Sequence, residues 1–378
     1  VTVQRYEMSN QIHTIPSGRW AIASPSDGGF DPLKLGMALD FMAHAETEWP
    51  RDLAAGLSAD LSIKEPPPWN EVLGPTKDRE GPNGLVIRHG RIVGAYGDTL
   101  RPDMTFSVAK SYLAVLSGIA VRDGLIRSID DTVRSYDLDD GFESAQNRDI
   151  TWRHLLHQSS EWEGTLFSKP DLVDRNREVG ADADNSRKGT HRRLGPPGSR
   201  YEYNDVRVNR LSLSLMQVFG RPLPEVLKTE VMDIIGASND WAWHGYRNST
   251  VEVNGQSMVS VPGGCHWGGG IFIHSEDHAR FALMVLRDGC WGDRRILPPG
   301  WVDWLRTPSP NKPDYGALWW LNTDQQLRSN APATSFFAFG AGGHYLWLEP
   351  SLDLVVVMRW MHAQHINAAI GKIMDSLS

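Results

Sequence analysis

Ser107-Val108-Ala109-Lys110 sets a hydroxyl and an amine three residues apart at the head of a helical stretch. Residues at i and i+3 share one helix face, so this spacing brings the two side chains together. A serine hydroxyl is nearly inert at neutral pH and needs an adjacent base to become a nucleophile. A lysine is such a base if burial and neighbouring cations hold it neutral. A helix start also aims free backbone N–H groups and positive dipole at its first turn. That field favours a serine alkoxide and disfavours a protonated Lys110. The plain alternative is a serine at an ordinary helix start with a solvated lysine one turn on. The surrounding segments decide between them.

Gly84–Arg88 and Arg91–Tyr96 are β-rich runs around His89-Gly90, a hairpin signature. From Ser107 to Asp123 the apolar positions Val108, Leu113, Leu116, Ile119 and Ala120 recur at helical spacing, and Gly124 closes the pattern. Thr151–Ser160 reads as a short helix running into a turn. Pro197-Gly198-Ser199-Arg200-Tyr201-Glu202-Tyr203-Asn204-Asp205 reads as a loop feeding a helix through Val206, Leu211 and Leu215. Phe30–His44 is a first helix, entered through Asp31-Pro32 in the N-cap and N1 places. Strands are expected near Gly316–Leu321, Phe336–Gly340, His344–Leu348 and Leu354–Trp360, and a last helix over Ile366–Leu377.

In order and content these segments, with Gly268–Phe272, Asp277–Phe281 and Arg295–Trp301, resemble the serine β-lactamase and penicillin-binding-protein superfamily. Within it they are similar to the class C-like branch of esterases, D-amino peptidases and 6-aminohexanoate-dimer hydrolases. The resemblance runs from about Phe30 to the C-terminus. It implies an α/β fold: an antiparallel sheet flanked by the terminal helices, with an inserted, mostly helical domain. Residues 1–106 and 239–378 then form the sheet domain and 107–238 the insert, with Ser107 at the junction.

The resemblance also assigns roles. Ser107 is the nucleophile and Lys110 its partner. Tyr203, with Tyr201 as a nearby competitor, is the tyrosine that stands beside the pair. The family's asparagine two residues after that tyrosine is here Asp205, with Asn204 adjacent. An ionised Asp205 cannot donate a hydrogen bond, so it is expected to balance the charge of Lys110, or Asn204 to turn into the gap. The family's Lys-Thr-Gly strand is absent, and Ala341-Gly342-Gly343-His344 stands in its place. A backbone N–H at Gly342 or Gly343, with that of Ser107, would form an oxyanion hole. His344 is either a polar contact to substrate or a strand-packing residue. Trp162, after the turn Gln158-Ser159-Ser160, is a candidate to line the cleft. The implied function is a serine hydrolase cleaving an ester or amide through an acyl-enzyme. The alternatives are a weak β-lactamase or D,D-peptidase-like enzyme, or a non-catalytic sensor that binds without turnover.

Composition agrees. Of 378 residues, 40% are hydrophobic and 22% charged, which suits a globular chain with an ample core. The formal net charge of -8 disfavours nucleic acid or anionic membrane as main partner. No apolar run reaches the ~20 residues of a spanning helix. The expected partner is a small ester, amide or short peptide, and the chain is a monomer or homodimer. Zinc-helix, phosphate-loop, dinucleotide and Gly-x-Ser-x-Gly motifs are missing, and the chemistry requires no metal or cofactor. His274 and His278 lie one turn apart without a third ligand nearby. Whether Cys265 and Cys290 pair stays open. The chain starts at Val1, not Met, so a removed leader is compatible, as are a cytoplasmic and a periplasmic location. Two excursions stand out. Glu65-Pro66-Pro67-Pro68-Trp69 reads as stiff polyproline. Glu161–Pro197 carries eleven charges between Asp171 and Arg193 alone, Asp182 among them, and reads as a mobile lid over the cleft mouth.

Overall fold

The computed structural model describes residues 16, 18–58, 65–180 and 183–378. Asp182 lies outside them. The main sheet is six-stranded and antiparallel. Its strands run, in spatial order, Trp320–Leu321, Phe336–Gly340, His344–Glu349, Leu354–Arg359, Asn83–Arg88 and Arg91–Tyr96.

Alternation along these strands sends side chains to two faces. Val86, Trp347, Val356 and Met358 meet the Pro32–His44 and Ile366–Asp375 helices through Leu35, Ala38, Ile370 and Ile373. Leu85, Ile87, Leu346, Leu348, Val355 and Val357 face a larger core containing the Ala109–Arg122, Asp205–Phe219 and Ser275–Leu286 helices. The terminal helices thus cover one face, as expected from sequence. Asp31 caps the first helix by accepting from the Leu33 and Lys34 N–H groups.

The Ala109–Arg122 helix is buried continuously from Ala109 to Ala120. Its polar members are satisfied inside, Ser111 by the Leu318 carbonyl and Ser117 by the Leu113 carbonyl, as a helix buried on all sides requires. Tyr112 stacks on Phe281 at 3.6 Å, and Ala114 accepts from the Trp301 indole at 3.1 Å. A small sheet of Asp103–Met104, Gly270–Ile273 and Ala242–His244 lies beside it. Buried Arg359 ties the two sheets together, donating to His344 Nδ1 and to the Ile273 and Met104 carbonyls.

Two expectations change. The strand expected over Gly316–Leu321 contracts to Trp320–Leu321, because Gly316 N–H bonds to the Trp319 carbonyl and folds that run into a turn. Ala341-Gly342-Gly343 is the turn joining two strands, since Gly340 pairs with His344.

The charged excursion is not a loose lid. Arg207, from the Asp205–Phe219 helix, contacts Glu161 at 3.3 Å, Asp171 at 3.2 Å and Glu202 at 3.1 Å. Arg192 reaches from the excursion to Glu161 and Glu202, and Arg175 pairs with Asp171 at 2.8 Å. Burial opposes the Glu161 charge, but Arg192 and Arg207 outweigh it and hold the carboxyl below its ordinary pKa. Arg207→Met leaves these buried carboxylates short of a cation. It is expected to cost about 3–5 kcal/mol of unfolding free energy, read from urea midpoints. An unchanged midpoint would show that the carboxylates find other partners.

Candidate active site

Thr105 N–H bonds to the Ile271 carbonyl at 2.9 Å, fixing the chain just before Ser107 to the small sheet. Phe106 then takes φ 48°, a left-handed conformation that a bulky side chain rarely adopts. This strained step turns the chain into a short 3₁₀ turn, Phe106–Val108, that runs into the long helix. Ser107 sits half-buried on that turn. Where Phe336–Gly340 approaches, a side chain at Gly340 would lie 2.2 Å from the Thr105 carbonyl. Only glycine allows that backbone contact.

Lys110 Nζ lies 2.8 Å from Ser107 Oγ and 2.6 Å from Asp205 Oδ1. It also stands 4.4 Å from the Tyr203 ring centre. Ser107 Oγ has the Gly264 carbonyl at 3.4 Å. A side chain at Gly264 would strike the Asp205 carboxyl at 2.5 Å, so this Gly263-Gly264-Cys265 loop packs directly on it. The structure therefore brings together Ser107, Lys110, Tyr203 and Asp205.

Burial alone would lower the Lys110 pKa. Asp205 and Tyr203 outweigh it and raise the lysine above its ordinary pKa. Burial likewise opposes the Asp205 charge, but Lys110, Arg177 and His266 hold its carboxyl well below the usual carboxylate range. The 2.6 Å contact and these shifts favour an ammonium paired with a carboxylate over the neutral lysine that cationic surroundings would give.

The segment carrying Tyr203 is held from below. Gln158 accepts the Asn204 N–H at 3.1 Å and donates to the Tyr315 hydroxyl at 2.7 Å. Tyr203 stacks on Trp320 at 6.1 Å, and Trp320 on Phe339 at 5.6 Å. Tyr201 packs edge-on against Tyr315 at 5.1 Å.

Other expected residues lie apart from the nucleophile. Asn204 does not turn into the gap: it caps its helix through the Arg207 N–H and donates to the Asp171 carbonyl. Trp162 is buried, with its indole on the Gly141 carbonyl at 2.8 Å. His344 is enclosed between Arg359, Phe106 and Trp360. Side chains at Gly342 and Gly343 would meet Trp360 and the Met361 carbonyl. His274 caps a helix and His278 bonds Tyr112, so both have structural partners. Cys265 and Cys290 are free thiols.

Sequence reasoning missed a chain of alternating charges behind Asp205. Arg177 Nη1 lies 3.1 Å from Asp205 Oδ2 and 3.2 Å from Asp174 Oδ2. Asp174 Oδ1 meets Lys188 at 3.4 Å, Lys188 meets Glu65 at 2.9 Å, and Glu65 meets His266 at 2.9 Å. Arg177, Asp174 and Lys188 come from the long charged excursion, whose charge density was the one signal in the sequence, Glu65 from the polyproline excursion and His266 from neither. Lys169 anchors the first excursion on the Trp69 and Glu71 carbonyls, and burial pulls its pKa down to about 8.

Comparison with known proteins gives the family and the fold. The beta-lactamase family profile matches residues 74–365, and the chain belongs to that family, whose members are generally serine hydrolases. Protein Rv1367c of Mycobacterium tuberculosis is 28% identical over 205 residues, covering 45% of this chain and 51% of its own. The chain thus spans about half the length of the curated relatives it matches. EstCE1, a hydrolase with promiscuous acyltransferase activity, shares the fold at TM-score 0.56 and 17% identity, covering 91% of this chain and 98% of its own. A penicillin binding protein from Bacillus halodurans does so at TM-score 0.55 and 17% identity, covering 78% and 95%. A beta-lactamase/D-alanine carboxypeptidase from Pseudomonas syringae does so at 0.54 and 14%, covering 81% and 94%.

The charge chain makes stability pH-dependent. Burial opposes ionisation of Glu65, but His266 and Lys188 outweigh it and lower its pKa from 4.5 to about 2. A depressed carboxyl stabilises the fold fully above its unfolded value, and the gain disappears as pH falls through the folded value. The window is therefore pH 4.5 down to about 2, and the contribution is on the order of 3 kcal/mol. Glu65→Gln is expected to lower stability at pH 7 and to flatten its decline across that window. Urea unfolding at several pH values checks this, and an unaltered slope would sink the assignment.

Proposed function

We propose that this protein hydrolyses an ester or amide through an acyl-Ser107 intermediate, in a cleft between the sheet domain and the helical residues 107–238. The observation that carries the reading is the 2.8 Å contact between Ser107 Oγ and Lys110 Nζ beside the Tyr203 ring. Asp205 at 2.6 Å favours a protonated Lys110, so acylation starts when the Lys110–Tyr203 pair has lost a proton. That pair accepts the Ser107 proton while Oγ bonds to the substrate carbonyl carbon. The oxyanion is received by the Ser107 N–H and a second backbone N–H at the Gly340 end of the neighbouring strand. The carbonyl bond to the leaving group breaks, and Tyr203 returns a proton to the departing alcohol or amine. Water then attacks the acyl carbon, the acid departs, and Ser107 regains its proton.

Substrate class follows from the neighbouring strand. Phe336–Gly340 offers Phe, Ala and Gly beside the nucleophile's turn, with neither a lysine nor a hydroxyl. A carboxylate of the kind β-lactams carry meets no cation on that strand, which favours esters and linear amides. The names of EstCE1 and of the carboxypeptidase neighbour are in keeping with such acyl transfer.

Ser107→Ala is expected to reduce p-nitrophenyl ester turnover by roughly 10³-fold or more, as loss of a nucleophile does. It should also abolish covalent labelling by a fluorophosphonate in intact-mass spectra. Esters are expected to be cleaved well ahead of nitrocefin. Undiminished turnover by Ser107→Ala would refute the reading, and permanent stoichiometric acylation by esters would replace it with a sensor.

A further inference from the structure

The two oxygens of Asp205 serve two different cations. Oδ1 takes the Lys110 ammonium at 2.6 Å, and Oδ2 takes the Arg177 guanidinium at 3.1 Å. Arg177 reaches this place from the charged excursion and is itself 8% exposed. Its Nη1 is shared with Asp174, whose Oδ2 also accepts the Asp205 backbone N–H at 2.8 Å. The same guanidinium lies 5.1 Å from the Tyr203 ring, which already faces Lys110. Arg177 therefore touches the counter-ion of the catalytic lysine and the face of the catalytic tyrosine at once.

We propose that Arg177 is a positioning residue for acylation: by occupying the second oxygen of Asp205 it limits that carboxylate's hold on the Lys110 proton. The proposal rests on the acyl-Ser107 reading and deepens it.

The physical reason is charge balance. An unshared carboxylate at ion-pair distance in a dry interior binds an ammonium's proton strongly, because little solvent screens the attraction. Lys110 could then release that proton only at very high pH, and Ser107 would lack an acceptor. A guanidinium on the far oxygen draws off part of that field. It also adds positive charge beside Tyr203. Losing a nearby cation makes any base retain its proton to higher pH, so the sign is the same whether the acceptor is Lys110 or Tyr203.

The other titratable groups around the cluster are accounted for. Lys110 also faces Cys265, and Asp205 feels His266, Tyr246 and Tyr315. Arg177 faces Tyr201 from the loop before Tyr203. Asp174 keeps Lys188 as a partner when Arg177 is removed, and Lys188 keeps Glu65. None of these supplies a replacement cation to Asp205 Oδ2.

The test is the pH profile of kcat/KM for p-nitrophenyl acetate, measured beside the pH dependence of fluorophosphonate labelling. Arg177→Met is expected to move the acidic limb about one unit to higher pH, a roughly tenfold loss below the limb. Arg177→Lys keeps a cation and should fall near wild type. The double variant Arg177→Met, Asp205→Asn removes both charges and should bring the limb back below that of Arg177→Met. It also serves where the single neutral variant fails to fold. A limb unmoved by Arg177→Met, or moved as far by Arg177→Lys, overturns the proposal while leaving the acyl-enzyme reading intact. A wild-type protein that is neither labelled nor active overturns both.

Discussion

The contact between Lys110 and Asp205, 2.6 Å long and sealed from solvent, imposes more on this protein than any other. Two opposite charges in a dry interior attract strongly, yet each loses its hydration. The pair persists only where its remaining valences are satisfied. Lys110 spends one on Ser107. The second Asp205 oxygen goes to Arg177, whose charge needs Asp174, whose second oxygen needs Lys188, whose charge needs Glu65. Each requirement recruits a residue farther along the chain. The sequence ends at His266, which adjoins the Gly263-Gly264-Cys265 loop that packs on Asp205. The two long excursions are thereby part of the site's electrostatics, which explains why they are buried at these points and not draped over the surface.

That requirement sets this site apart from the pattern its segments resemble. An asparagine at position 205 would bond a neutral or charged lysine and ask nothing of its surroundings. An aspartate favours the lysine as an ammonium, so on the acyl-Ser107 reading proton acceptance falls to the Lys110–Tyr203 pair as a unit. The neighbouring strand departs too: Phe339 belongs to a stack that runs through Trp320 to Tyr203. The tyrosine is thus braced by aromatic packing on one side and met by two cations from Lys110 and Arg177. A braced ring holds its hydroxyl in place, a condition for a group that must receive and return a proton within one turnover.

The parts of this arrangement legible in the sequence are those with local signals. Ser107 and Lys110 are one turn apart on a periodic helix, and the Asp31 cap, the hairpin and both terminal helices announce themselves within a few residues. Tyr203 was legible through resemblance. Arg177, Asp174, Lys188 and Glu65 were not, because each acquires its role from a partner remote in sequence, and nothing periodic marks the segments that carry them. Their charges read as solvated when they are paired. Ala341-Gly342-Gly343 misled in the opposite way. Glycine there serves close packing on Trp360 and Met361 within a turn, and composition alone does not distinguish this from a strand that admits substrate. Asn204 and Asp205 are adjacent, and only the helix start tells which is the cap and which faces the lysine.

The two ion networks in the excursion also differ in kind. Around Arg207 the cations and carboxylates form a compact cluster, with Arg192 and Arg207 both meeting Glu161 and Glu202. Such a cluster fixes geometry, since every member has several partners and none leads to the nucleophile. Around Arg177 the charges form a line, and one end of the line is Lys110. A line transmits a change of charge at any member to its end, whereas a cluster absorbs it. The same stretch of chain therefore holds two arrangements of the same residue types: Arg192 and Arg175 tie it to buried carboxylates, and Arg177 carries it to the counter-ion of Lys110. Anchoring must come first, because a guanidinium that drifted an ångström from Asp205 would leave the carboxylate wholly to Lys110. On the proposed role of Arg177, the ion pairs that tie the excursion down at Arg175 and Arg192 are a condition of the chemistry.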